Sequence, residues 1–305
     1  MNFSFFVLSQ FRRFREVIRS MTRIYAHEQQ INFLACENIR LNQLLRELIF
    51  QNNLTRSPTA SQTRESFDYQ WREVGEGAWM PSNPDFLKKT PDMIFKLTQL
   101  PREWFPGKRV LDAGCGSGRW TYGLLKLGAQ VTAFDQSKGA LEEARALVEG
   151  LGVVEFLQRD LLELDLKPNS FDLVWCFGVA HHTENPIKAI KNLISIVAPG
   201  GYLFMMLYGY PESTESFHEQ ATYEEWRRRL LPLSFAEKVE ILRKHYPEEL
   251  VHGYFDAVSP QINELFTWEW IQSFLQNEGF DSIRRTLDNP NHHFIARKVW
   301  MTKRR

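Results

Sequence analysis

Three glycines spaced by single residues, Gly114, Gly116 and Gly118, follow the acidic Asp112 where a short apolar run gives way to a helical one. Glycine lets the backbone turn tightly there and lets a ligand approach it closely. The free N–H groups that open the next helix add a positive end. The spacing narrows the ligand. A dinucleotide site asks for Gly-x-Gly-x-x-Gly, but counting from Gly114 the sixth position is Arg119. A phosphate-cradling Walker loop would continue into Gly-Lys-Ser/Thr, and it does not. An acidic residue two places before the first glycine disfavours a pyrophosphate and suits a ligand with a cationic end. Asp135 closes a second apolar run, where a carboxylate can accept both hydroxyls of a ribose. Asp160, after the third run, is placed for an adenine amino group, and Phe177-Gly178 ends the fourth.

Histidines offer a second chemistry, because an imidazole titrates near neutrality and can take a proton from a hydroxyl. His181 and His182 follow the fourth run, and His182 is the expected general base, with His245 and His252 as reserves. The alternative for each is bracing a loop or touching the ligand. Near His245 and His252 lie Tyr208, Tyr210, Tyr223, Trp226, Tyr246, Tyr254 and Asp256, a set rich enough in aromatics to shape a pocket. His292 and His293 read as structural or surface residues.

The elements that must position these residues alternate. Strands are predicted at 109–111, 130–134, 153–158, 171–177 and 201–207, with helices at 119–127, 138–149 and 186–197. That order means βαβ units and a parallel sheet with right-handed crossovers. A further helix at 268–277 precedes strands at 282–287 and 293–300. The connection between those two is too short for a crossover, so they pair antiparallel. Residues 211–260 break the rhythm and read as partly helical.

Ahead of the sheet, residues 1–55 read as a helical extension. Phe11, Phe14, Ile18, Met21 and Tyr25 recur at helical steps, with Arg12, Arg13, Arg15, Arg19 and Arg23 opposite. A helix for docking or self-association is expected, and peripheral contact with an anionic membrane is the alternative. Asn52 to Arg64 reads as a polar linker, and a helix is predicted from Phe86 to Leu100.

The 37 basic and 37 acidic residues cancel, so no global basic field points to nucleic acid. Cys36, Cys115 and Cys176 lie far apart without a Cys-x-x-Cys, which indicates neither a disulfide framework nor a zinc site. No metal-binding carboxylate cluster is evident. No apolar run approaches the ~18 residues of a membrane span, the N-terminus lacks the pattern of a secretory signal, and a cytoplasmic protein is expected.

Taken together, these residues resemble the class I S-adenosylmethionine-dependent methyltransferases. The stretch from Val110 through Gly118 resembles that family's first motif, Phe171 to His182 its fourth-strand motif, and Ala198 to Leu203 its fifth-strand entry. The resemblance implies a doubly wound α/β fold, with a seven-stranded, mostly parallel sheet whose last strand is antiparallel. It implies S-adenosyl-L-methionine as cofactor, held by Asp112, Ala113, Gly114, Cys115, Gly116, Gly118, Asp135, Gln136, Asp160, Leu161, Phe177 and Gly178. The glycines would pass under the methionine part, Asp135 would hold the ribose, and Gln136 would cover an adenine face. The organisation expected is an extension at 1–55, a linker and cap helices at 56–107, and the methyltransferase domain at 108–305, with an acceptor lid inserted at 208–260. Ser66 to Trp71 and Tyr254 to Pro260 resemble segments of bacterial methyltransferases in carbohydrate and natural-product pathways. That favours a small-molecule or glycan acceptor methylated on oxygen. An N-methyltransferase and a non-catalytic adenosyl-binding regulator are the alternatives.

Overall fold

The computed structural model describes residues 58–74 and 80–300. The expectations for residues 1–55 lie outside the described residues. The first described helix, α1 (Pro58–Glu73), begins within the stretch read above as linker. That reading fails because α1 has no apolar stripe to announce it. It buries Thr63, Ser66 and Gln70, polar side chains whose hydrogen bonds run to residues far along the chain. Helix α2 (Pro84–Thr98) follows, with the Asn83 carboxamide accepting from the N–H groups of Asp85 and Phe86 at its start.

The sheet comprises β1 (Arg109–Ala113), β2 (Gln130–Asp135), β3 (Val154–Gln158), β4 (Phe171–Phe177), β5 (Val197–Leu207), β6 (Phe280–Arg285) and β7 (His292–Lys298), in the order β3-β2-β1-β4-β5-β7-β6. The pairs among the first five are parallel, and β7 runs antiparallel to both β5 and β6. Crossovers are made by α3 (Arg119–Lys126), α4 (Lys138–Leu147) and α5 (Pro186–Ile196). Between β5 and the last pair lie α6 (Thr214–Leu230), α7 (Phe235–His245), α8 (Glu248–Val258) and α9 (Trp268–Asn277).

Strand residues alternate between the two faces of the sheet. Leu111, Val174, Cys176 and Leu203 pack with α5 and α9, while Val110, Leu173, Trp175 and Phe204 pack with α2 and α3. Both faces are therefore buried, as parallel strands require. The insertion has a small core of its own. Trp226, Leu230, Val239, Leu242, Val251 and Phe255 join α6, α7 and α8, and Tyr69 of α1 packs against them. The effect is to hold α8 above the carboxyl edge of the sheet, with α1 beside it.

Candidate active site

A cleft of about 260 Å³ opens where β1, β2 and β4 end. In an open α/β sheet this edge is where ligands bind. Its floor begins with the turn after β1. The N–H groups of Gly114 and Cys115 both donate to the carbonyl of Phe134, at 2.8 and 2.9 Å. Gly114 and Gly116 have φ of +73° and +52°, a region side chains rarely adopt. A Cβ on Gly114 would run into Val179, and one on Gly116 would lie 2.5 Å from the Trp71 ring. Helix α1 thus lays an indole directly on the glycine turn.

Asp135 ties that turn to β2. One carboxylate oxygen accepts from Gly116 N and the other from Ser137 N, each at 2.9 Å. Burial raises its pKa, and these N–H groups oppose the rise. Each oxygen keeps acceptor capacity for a ligand hydroxyl. Farther along, Asp160 accepts from Leu162 N at 2.9 Å and lies 3.6 Å from the Arg64 guanidinium. Gln136 and Leu161 complete this end, and Phe177 and Gly178 form the middle.

Of the twelve residues expected to hold the cofactor, the structure brings Gly114, Cys115, Asp135, Gln136, Asp160, Leu161, Phe177 and Gly178 to the cleft surface. Asp112, Ala113, Gly116 and Gly118 sit behind that surface. The Asp112 carboxylate is buried and accepts from the Thr121 hydroxyl at 2.6 Å, bracing β1 against α3. Burial pushes its pKa up to about 7. Ala113 is core. Gly118 opens α3 at φ +89°, where a Cβ would press on Ala144.

At the other end of the cleft, His182 emerges from the turn after β4. Its Nδ1 lies 2.9 Å from the Ile262 carbonyl. A carbonyl can only accept, so Nδ1 carries the proton and Nε2 of the neutral ring has a lone pair. Nε2 has no hydrogen-bond partner among the described residues. Burial lowers the His182 pKa, with Asp256 pulling the other way. His252 of α8 also lines the cleft, with Nδ1 2.7 Å from the Val74 carbonyl and its ring against Trp71. Burial lowers its pKa too.

His245 does not reach the cleft. It is exposed in the last turn of α7, with Nδ1 2.8 Å from the Ile241 carbonyl and its ring edge on Trp226. As a reserve for the base it is corrected by the direction α7 faces. His181 is fully buried and stacks on Tyr208 at 4.0 Å, and neither ring nitrogen has a partner among the described residues. His292 and His293 are buried, and His292 lies 2.8 Å from the Phe266 carbonyl.

Part of the remaining wall comes from the resembling segments at 66–71, 171–182 and 254–260, while Ala60, Thr63, Arg64, Arg119 and Met206 carry no motif. Ala60, Thr63, Arg64 and Phe67 of α1 line the cleft, as do Arg119, Val179 and Met206. Asp256 faces in from α8 and accepts from the Tyr208 hydroxyl at 2.8 Å. The Arg119 guanidinium lies over the rings of Trp120 and Phe177. Burial lowers its pKa, and the charges of Asp256 and Asp112 oppose that. Among the described residues no group of three or more metal-ligating side chains gathers, and no helix is long and apolar enough to cross a membrane.

The donor set suits an adenosyl ligand with a charged tail. It offers two carboxylates at the nucleoside end, a glycine turn whose Cβ positions would be occupied, and an aromatic and cationic middle. The family model described as "Methyltransferase domain" matches residues 111–205. The chain is 31% identical over 144 residues to the ubiquinone biosynthesis O-methyltransferase of Vibrio cholerae, covering 40% of this chain and 59% of that one. It is 31% identical over 165 residues to the enzyme of the same name from Xanthomonas campestris, covering 53% and 61%. An uncharacterized protein of Synechococcus is 40% identical over 105 residues, which is 33% of this chain and 25% of that one. The chain thus spans about 60% of the O-methyltransferases and a quarter of the Synechococcus protein. A solved O-methyltransferase family protein from Burkholderia thailandensis shares the fold at a TM-score of 0.54 and 14% identity, covering 87% of this chain and 71% of that one.

Proposed function

This chain carries a class I S-adenosylmethionine-dependent methyltransferase domain, and from that premise we propose that it transfers the methyl group to an oxygen of a sugar, glycolipid or secondary metabolite. The observation that carries the reading is the continuity of the cleft. It runs from Asp160 and Gln136, past Asp135 and the glycine turn, to His182 and Asp256 without leaving the carboxyl edge of the sheet.

S-adenosylmethionine, when bound, supplies a methyl group on a sulfonium. Asp160 and Gln136 would hold the adenine, Asp135 the ribose hydroxyls, and the turn at 114–118 the methionine part. Arg119, at the aromatic middle, offers a cation to the methionine carboxylate. His182 acts at the methyl end. Its Nδ1–H is fixed by the Ile262 carbonyl, so Nε2 takes the acceptor hydroxyl's proton as the oxygen attacks. Burial keeps the imidazole neutral and hence able to accept. The walls from α1 and α8 exclude water and align acceptor, methyl and sulfur, which is the larger share of what such a site must do.

The O-methyltransferases of Vibrio cholerae and Xanthomonas campestris support oxygen as the methylated atom. The test is calorimetry with S-adenosylmethionine and S-adenosylhomocysteine, followed by mass spectrometry of a hydroxylated-metabolite library for a one-methyl gain. Binding of both ligands and methylation of a hydroxyl are expected. Binding without turnover on any acceptor would favour the regulatory alternative, and methylation confined to amines would move the reaction to nitrogen.

A further inference from the structure

Behind α8 lies a second cavity of about 320 Å³, within the size range of small-molecule sites. Its lining differs from that of the cleft. Tyr223, Tyr254, Gln220, Arg227 and Asn291 give it mainly hydrogen-bonding groups set among aromatic rings. The Tyr254 hydroxyl and the Asn291 amide make no hydrogen bond among the described residues. Arg227 is not a bare cation. Its Nε and Nη2 donate to the Ala257 carbonyl and its Nη1 pairs with Glu224. Glu219 accepts from the Tyr223 hydroxyl at 2.8 Å. With Arg227 neutralised by Glu224 and a further carboxylate, Glu219, nearby, the cavity suits an uncharged polyhydroxylated ligand and disfavours an anion.

The wall between cavity and cleft is thin. His252 and Asp256 of α8 face the cleft, and Leu250, Tyr254 and Ala257 face the cavity. Gly253 borders both. It stands mid-helix, where glycine is about 1 kcal/mol worse than alanine. Packing does not demand it, because a Cβ at this position meets nothing within 4 Å. The helix therefore carries a locally unfavourable residue at an exposed position bordering both compartments, where a side chain would add bulk to the rim between them.

We propose that the acceptor is a two-part molecule lying across Gly253. A flat hydroxyl-bearing group, such as a hydroxyaryl ring, sits in the cleft among Phe67, Trp71, Phe177 and Met206, with its hydroxyl toward His182. An uncharged sugar-like group fills the cavity against Tyr254, Asn291 and Gln220. Gly253 sets specificity by leaving the rim between them low enough for the ligand to cross. This rests on the methyltransferase reading, and its test separates the two. The full chain is first titrated with S-adenosylhomocysteine. Saturated with it, the chain is then titrated with 4-hydroxyphenyl β-D-glucopyranoside, with hydroquinone, and with the 4-hydroxyphenyl glucuronide. The neutral glucoside is expected to bind at least about tenfold more tightly than hydroquinone, and the glucuronide no better than hydroquinone. The gain should vanish in Gly253→Phe and shrink in Asn291→Ala, with S-adenosylhomocysteine affinity unchanged in Asn291→Ala, which lies outside the cleft. Equal binding of glucoside and hydroquinone, preference for the glucuronide, no glucoside binding, or a gain surviving both substitutions would each overturn the proposal while cofactor binding stands. Failure to bind S-adenosylhomocysteine would remove the premise itself.

Discussion

The two ends of the cleft are built by different means. The end proposed for the nucleoside is made of short stretches at the tips of adjacent strands, each offering its own groups to the cleft: Gly114 with Cys115, Asp135 with Gln136, Asp160 with Leu161. Hydrogen bonds among them are local to the sheet edge, such as Gly116 N to Asp135. The methyl end is made by one helix meeting another far along the chain. Gln70 donates to the His252 carbonyl, His252 donates to that of Val74, and the hydroxyls of Ser66 and Ser259 bond at 2.7 Å. A strand tip holds a ligand group wherever the sheet forms. A helix–helix wall can be repacked without disturbing the sheet, so the acceptor can vary while the cofactor edge stays fixed.

Substitutions can probe that division. The largest effect is expected at His182. With an acceptor in hand, His182→Ala should slow single-turnover methyl transfer by roughly 10²–10⁴-fold while leaving cofactor affinity nearly intact. Because burial lowers the His182 pKa, the acid limb of the wild-type rate should lie below the ordinary imidazole range. Loss of cofactor binding in step with rate would instead join His182 to the nucleoside end.

Asp112 gives a stability signature. Its folded pKa of about 7 lies well above the ordinary carboxylate range of about 4. The folded state therefore holds this proton more tightly than the unfolded state, and stability falls as pH rises from about 4 to about 7. Asp112→Asn has no such proton, so relative to wild type it should gain about 1.4 kcal/mol per pH unit through that window. Denaturant midpoints at pH 5, 6 and 7 measure the gain, and parallel profiles would show the carboxylate ionised throughout.

Asp135→Ala should weaken S-adenosylmethionine binding by about 1.5–3 kcal/mol, the worth of a hydrogen-bonded charged acceptor. Calorimetry that finds unchanged affinity would move the ribose elsewhere. The smallest effect is at the other end. Gly253→Ala should raise stability by up to about 1 kcal/mol, since helix propensity improves and the added methyl meets nothing. A destabilised variant would show that α8 needs its glycine for packing.

Most of the sheet was legible because its strands are short apolar runs between turn residues. β4 was placed at 171–177 as observed, and α9 at 268–277 likewise. For the same reason eight of the twelve residues expected to hold the cofactor lie at the cleft surface. For Asp112 the sequence leaves two places open, since a carboxylate inside a strand can face a ligand or a neighbouring helix, and its carboxylate accepts from the Thr121 hydroxyl. Helix α1 was half hidden, since side chains such as Thr63 and Gln70 look solvated in sequence yet are buried against partners nearly two hundred positions away. His245 and His252, seven residues apart, looked equivalent. The break at Pro247 puts them on separate helices, one facing out and one facing in.

The clasp between α1 and the 252–262 region also bears on how the chain assembles. It joins residues separated by 178 to 199 positions, and closing so long a loop must be met before those contacts give anything back. During synthesis α1 leaves the ribosome well before α8. The turn at 114–118 and α4 offer it part of a seat, but the partners of Thr63, Ser66 and Gln70 come only with the 252–262 region. The wall that α1 provides is therefore completed late, over a strand edge already formed beneath it.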